Sequence, residues 1–162
     1  MTIRLCRDDD REPIFTIINA AAEAYRGVIP EDCFHDPYMN APELAAEIAA
    51  GVKFWGYEAD NVLVGVMGIQ AVLDVDLIRH AYVVPSHQRH GIGGALLKHL
   101  REMSTRRILI GTWADATWAI DFYRRHDFEP VAAGDKVGLL KTYWTVPERQ
   151  IETSVVLANP PF

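Results

Sequence analysis

The centre of the chain reads Val83-Val84-Pro85-Ser86-His87-Gln88-Arg89-His90-Gly91-Ile92-Gly93-Gly94-Ala95-Leu96-Leu97. The apolar run Ala81 to Val84 is stopped by Pro85; a basic, glycine-rich turn follows, and then an amphipathic segment opens. This order predicts a strand, a loop and the start of a helix. Glycine in the turn lets the backbone approach a ligand without Cβ interference. The first helical turn offers free N–H groups and the positive end of the macrodipole. Together they form a seat for a phosphate or pyrophosphate. Gln88, Arg89, His90, Gly91, Ile92, Gly93 and Gly94 are therefore the candidate phosphate-binding residues; the competing reading is a capping loop that binds nothing. A dinucleotide fingerprint would need a third glycine where Leu96 stands, which disfavours a nucleotide-dependent oxidoreductase.

Outward from this stretch the periodicity is legible. Ile3 and Leu5 alternate with polar residues as in a strand. Ile14, Ile17, Ile18, Ala21, Ala22 and Tyr25 recur at helical spacing, with Asp8-Asp9-Asp10 before them and Gly27 after. Asn40 and Pro42-Glu43 start a second helix that Gly51 stops. Residues 52–58 and 62–72 predict a hairpin around Ala59-Asp60-Asn61. A fourth strand runs from Leu77 to Val84, followed by a helix over 91–104 and a short strand at Ile108-Leu109-Ile110. Asp115 or Thr117 caps the next helix. A strand at 128–131, a helix near 135–143 and a last strand over 151–157, weakly alternating as an edge or dimer strand does, complete the order. This predicts an α/β fold: a mixed sheet covered by helices.

At 162 residues the chain predicts a single domain over 1–162 with room for a core. A net charge of −6 argues against nucleic acid as a partner and mildly favours a cationic one. Two cysteines, Cys6 and Cys33, are too few for a disulfide framework or a metal site, and His35-Asp36 lacks further partners at ligand spacing, so no metal is expected. No apolar run approaches the roughly 18 residues of a membrane span, and the first residues do not read as a signal peptide; a cytoplasmic protein with no membrane partner is expected.

The pattern Gln88-x-x-Gly91-x-Gly93 resembles the acyl-CoA-binding signature of the GNAT superfamily of N-acetyltransferases, (Q/R)-x-x-G-x-(G/A). The segment Trp118-Ala119-Ile120-Asp121-Phe122-Tyr123-Arg124-Arg125-His126-Asp127-Phe128 is similar to that family's A-x-x-F-Y-x-x-x-G-F, matching at Ala119, Phe122, Tyr123 and Phe128. Asp127 stands where the family has glycine; aspartate tolerates the left-handed conformation better than most residues, so a helix C-cap is expected to survive. Ala116 stands where many members carry a cofactor-contacting asparagine. The specific motifs lie between about residues 78 and 128, while the order of elements fits the family over nearly the whole chain.

The resemblance implies the GNAT fold, a central, mostly antiparallel sheet flanked by helices. It implies acetyl-CoA as co-substrate, without metal, and transfer of its acetyl group by direct attack of an amine on the thioester. In the family a backbone N–H of the fourth strand, near Ala81, Tyr82 and Val83 here, faces the oxyanion, and the pantetheine arm pairs with that strand. Tyr123 corresponds to the general acid near the cofactor sulfur. The base is less defined. The family's glutamate positions fall on Leu77 and near Gly111, neither acidic. His80 is the first candidate, since a histidine ordinarily titrates near neutral pH and alternation puts Ile78, His80 and Tyr82 on one face. Asp76, brought in by a bulge, and a water chain are the others. The family's acceptor pocket corresponds to Tyr25–Tyr38, where Glu31, Asp32, His35 and Asp36 are candidates to hold a cationic amine. The acceptor is a small-molecule or peptide amine, from polyamines and aminoglycoside-like drugs to amino acids and protein N-termini. The family's habits favour a homodimer. The missing glutamates keep open a second reading, a catalytically weak acyl-CoA-binding sensor of the same fold.

Overall fold

A computed structural model describes residues 2–162. Seven strands form one sheet: β1 (Thr2–Leu5), β2 (Lys53–Ala59), β3 (Val62–Val72), β4 (Val75–Val83), β5 (Arg107–Trp113), β6 (Glu129–Pro130) and β7 (Ser154–Asn159), in the order β1-β2-β3-β4-β5-β7-β6. Among the described residues only the β4–β5 pairing is parallel. Six helices cover it: α1 (Arg11–Ala22), α2 (Ala41–Ala49), α3 (Ile92–Met103), α4 (Thr117–Arg125), α5 (Ala133–Tyr143) and α6 (Glu148–Glu152). This is the mixed α/β architecture expected from the sequence. No helix among the described residues is long and apolar enough to cross a membrane.

Local chemistry fixes the joints. Asp60 and Asn61 both take positive φ, 52° and 64°, which a two-residue hairpin between right-twisted strands requires. Asn40 accepts the Glu43 N–H at 2.9 Å and caps α2. Asp127 sits at φ 69° after α4. Its N–H bonds Arg124 O at 3.3 Å and the Phe128 N–H bonds Tyr123 O at 3.1 Å, the two bonds of a Schellman cap.

One face of the sheet packs Ile78, Ile108, Ile110 and Leu157 against Ile92, Leu96 and Leu100 of α3 and Tyr123 of α4. The opposite face takes α1 and α2 over β2 and β3, and α5 and α6 over β5 and β7. Period-two alternation along the strands sends successive side chains to these two layers.

Four expectations are corrected. The last strand does not span 151–157: Pro147 opens α6, Ile151 is buried on its inner side, and the strand starts at Ser154. A proline-initiated turn overrides the β-propensity of Ile151 and Thr153. That strand is no edge, because β5 and β6 flank it. Neither Asp115 nor Thr117 caps α4; Ala116 holds the cap position without a side-chain bond. Alternation along β4 also fails. Val66 pairs with Tyr82 and Gly68 with Arg79, so His80 and Ala81 together oppose Met67, and His80 takes φ 56°. This is a β-bulge. It turns His80 to the α2 side while Ile78 stays in the α3 layer.

Candidate active site

The parallel strands β4 and β5 pair only from Val75–Arg107 to Ile78–Ile110. Beyond that point each keeps its outer neighbour: Tyr82 and Val83 stay on Val66 and Gly65 of β3, and Gly111 to Trp113 on Val156 to Ser154 of β7. The strands part, and the inner edge of β4 past Ile78 loses its ladder partner. A cavity of about 130 Å³ opens there, lined among others by Tyr25, Tyr38, His80, Tyr82, Trp113 and Tyr123.

At the end of β4, Gln88 Nε2 donates to Val83 O at 3.0 Å and ties the turn to the strand. Arg89 (φ 67°) and Gly91 (φ 76°) are both left-handed, and Gly91 is the N-cap of α3. The helix ladder begins with Ala95 N–H on Gly91 O at 3.0 Å. The N–H groups of Ile92, Gly93 and Gly94 therefore have no acceptor within the helix. Arg89 and His90 are exposed beside them, while the Ile92 side chain is buried. The missing Cβ atoms of Gly93 and Gly94 serve a different purpose from ligand approach. A Cβ on Gly94 would lie 2.9 Å from the His126 ring and one on Gly93 3.4 Å from Phe122, so these glycines admit α4 against α3.

Tyr123 projects from α4 into the cavity wall and is 8% exposed. Burial, with Tyr25 adding to it, pushes its hydroxyl far above the ordinary phenol value. Around it stands a phenol cluster. Tyr25 is pushed up to about 12 by burial first and Tyr38 second, with hydrogen bonds to Thr112 and Tyr82 opposing. Trp113 Nε1 donates to the Tyr38 hydroxyl at 3.2 Å. Tyr25 stacks on Tyr38 at 6.0 Å and meets Trp118 at 5.5 Å.

His80 lines the cavity and is held from behind. Its Nε2 meets Oε2 of Glu47 on α2, and its ring stacks on Phe54 at 6.1 Å. Glu47 Oε1 accepts from Arg79 Nη2 at 2.9 Å. Burial works to raise the Glu47 carboxyl, but the bond to His80, the charge that His80 carries when protonated and the charge of Arg79 outweigh it and hold it below the usual range. Asp76 lies elsewhere. The bulge is four residues beyond it, and its carboxylate accepts from Ser104 Oγ and Arg106 Nη2, each at 2.6 Å. Leu77 is fully buried, and a Cβ at Gly111 would lie 3.3 Å from the Trp144 ring.

From the 25–38 segment, Tyr25 and Tyr38 reach the cavity. Glu31, Asp32, His35 and Asp36 do not. All four are exposed, Asp32 pairs with Arg149 at 3.1 Å and Asp36 with Arg26 at 3.5 Å. The expectation that they cradle a cationic amine is thus corrected: chain direction turns them outward. Sequence reasoning missed Glu47 and Trp113. Glu47 lies three residues from Leu44, on the inward side of α2, and Trp113 continues the apolar run of β5; these were the available signals.

A larger groove of about 750 Å³ borders the far half of α3, lined by Lys98, Arg101, Arg106 and Arg107. Its guanidiniums are committed to Asp76 and to backbone carbonyls of Leu73, His126, Pro160 and Pro161. It contains none of the candidate catalytic groups.

The family model of the acetyltransferase (GNAT) domain matches residues 50–130, which hold the parted strands, the α3 terminus and Tyr123. No curated protein matches the chain in sequence. Among solved structures, a GNAT-family acetyltransferase from Staphylococcus aureus Mu50 is similar at TM-score 0.71 and 17% identity, over 97% of this chain and 96% of that one. The PaiA N-acetyltransferase of Thermoplasma acidophilum, in complex with coenzyme A, is similar at 0.69 and 16%, over 98% of both chains. The ribosomal-protein-S18-alanine N-acetyltransferase of Escherichia coli follows at 0.68 and 17%, over 97% and 91%. At these identities the structural likeness is one of fold.

Proposed function

This chain belongs to the acetyltransferase (GNAT) family, and from that premise we propose that it moves an acetyl group from acetyl-CoA to a small-molecule or peptide amine, acting as one domain over 1–162. The observation that carries the reading is the parting of β4 and β5 beside an uncapped α3 N-terminus. The residues present fit the co-substrate. Three outward N–H groups, with Arg89 and His90 beside them, suit a pyrophosphate. The unpaired edge of β4 at Ala81, Tyr82 and Val83 suits an extended amide-bearing arm, and a β4 N–H there suits the oxyanion.

In this reading His80 takes the proton of the attacking amine as the N–C bond forms. Tyr123 donates to the sulfur as the C–S bond breaks. Its elevated hydroxyl stays protonated across the working pH range, so it remains a donor and does not compete for the amine proton. His80 is assigned as the base because it lines the cavity, while Asp76 is paired with Ser104 and Arg106.

Thiol release from acetyl-CoA over an amine panel, with CoA affinity measured alongside, tests this. Tyr123→Phe is expected to slow transfer by roughly 10²-fold or more with CoA affinity retained. Gly91→Asp meets open space but strains the left-handed backbone at φ 76°, which aspartate tolerates better than most residues, and it sets a carboxylate against the phosphates, so CoA affinity should fall about tenfold or more. Unchanged affinity in Gly91→Asp would overturn the cradle. Tight CoA binding without release to any amine or peptide would favour the sensor reading.

A further inference from the structure

We propose that Glu47 is a positioning residue of this site: its carboxylate fixes His80 in the tautomer bearing hydrogen on Nε2, which presents Nδ1 to the acceptor amine. The inference rests on the assignment of His80 as base. It starts from the bulge. A histidine with positive φ is strained, at a cost of about 1–3 kcal/mol, and persists only where its surroundings determine it. Here two contacts do so, Phe54 beneath the ring and Glu47 at its far nitrogen. Glu47 Oε2 and His80 Nε2 are both sealed from solvent and face each other, and no third group among the described residues hydrogen-bonds either atom.

A carboxylate only accepts hydrogen bonds, so against a neutral ring the sealed nitrogen must carry the proton. The other nitrogen, Nδ1, is then the lone-pair site, on a ring that lines the cavity. Glu47 is itself anchored. Its second oxygen takes Arg79 Nη2, Arg79 Nη1 donates to Gln70 Oε1 at 3.1 Å, and Gln70 Nε2 donates to Ala50 O at 3.1 Å, just past the end of α2. The carboxylate orientation is thus set by a chain of bonds from helix to bulge. One oxygen serves the fold through Arg79, and the other serves the imidazole. On protonation of Nδ1 the ring becomes a cation beside an anion, which stabilises the charge that develops as the amine loses its proton.

The test combines three variants with a readout that needs no acceptor. In Glu47→Gln the single amide oxygen goes to Arg79, and the NH₂ donates to His80 Nε2, which reverses the tautomer. Imidazole nitrogen shifts in the protein, with His80 assigned by its loss in His80→Gln, should show Nε2–H in the parent and Nδ1–H in Glu47→Gln. On the amine that the panel identifies, kcat should fall roughly 10²-fold in both variants with CoA affinity unchanged, and the double variant should lose no more than either. Arg79→Gln removes the anchor of the second oxygen but leaves a carboxylate at His80 Nε2, so it should keep the parent tautomer and lose part of kcat, less than Glu47→Gln does. A parent ring with hydrogen on Nδ1, or Glu47→Gln with the parent tautomer and full rate, overturns the proposal. Equal losses in Arg79→Gln and Glu47→Gln also overturn it, because the carboxylate would then serve only the fold. Full turnover in His80→Gln would instead remove the base assignment itself while leaving acetyl transfer in place.

Discussion

Gly68→Ala probes how β3 holds the bulge of β4. A Cβ at Gly68 would lie 2.9 Å from the Arg79 carbonyl oxygen and 2.8 Å from a Val52 methyl, where ordinary contact begins at 3.4 Å. The methyl can swing; the carbonyl belongs to the backbone residue just before His80 and must retreat by about 0.5 Å. Burying one methyl and restricting the unfolded chain together return roughly 1–2 kcal/mol. Overpacking costs roughly 1–3 kcal/mol, so the net loss should be about 0.5 kcal/mol. The catalytic effect should be larger. If a 1 Å misplacement costs roughly 10²-fold, half that distance at the residue preceding His80 costs about tenfold in kcat/KM. CoA affinity should change little, since the α3 terminus does not touch Gly68. Urea unfolding gives the first number, and thiol release with CoA titration gives the others. A variant that loses stability yet keeps full kcat/KM would refute the claim that the bulge geometry sets the rate; one unchanged in both would refute the contact itself.

Other consequences are simpler to read. Asp127→Gly relieves a left-handed aspartate in the α4 cap, whose side chain makes only a 3.5 Å contact with Arg101, and should raise stability by about 1 kcal/mol in urea unfolding. Asp10 is held at about 2, below its usual 3.8, first by the hydrogen bonds from Arg4, with burial opposing and the Arg7 N–H adding. Because the folded value is depressed, its contribution is present above about pH 4 and is lost as pH falls toward 2. Asp10→Asn should therefore cost on the order of 1–2 kcal/mol at pH 7, allowing for solvent at the open side of the pair. That gap should close in unfolding curves taken near pH 2; a gap that persists there would contradict the ion-pair origin.

Local signals carried most of the fold. Asn40 ahead of Pro42-Glu43, Asp60-Asn61 between alternating strands, and Pro85 ahead of Gly91 each set a boundary through near neighbours, and the structure keeps them. The left-handed aspartate at 127 was legible for the same reason. The geometry of the candidate site was legible where it rests on one segment, as in the strand, turn and helix start around Gln88 to Gly94. It was not legible where it rests on distant ones. The bulge at His80 depends on the register across β3 and on a carboxylate 33 residues earlier, and period-two alternation along β4 carries no trace of either. The same holds for the acidic residues at 31–36, whose composition suggested a cation site although they lie exposed, Asp32 and Asp36 paired with arginines of which one is 117 residues away. Ile151 and Thr153 favour extended backbone by themselves, and Pro147 outweighs them.

The contact between α3 and α4 has a metrical consequence. Because Gly93 and Gly94 lack side chains, Phe122 and His126 seat directly on the first turn of α3. The three N–H groups without helix acceptors and the Tyr123 side chain are thereby held at a set separation across one helix–helix contact. In the proposed reading, acetyl-CoA seated by its phosphates at the first would be measured, along its flexible arm, against the second. Length would then be a criterion of recognition before any acyl group is read.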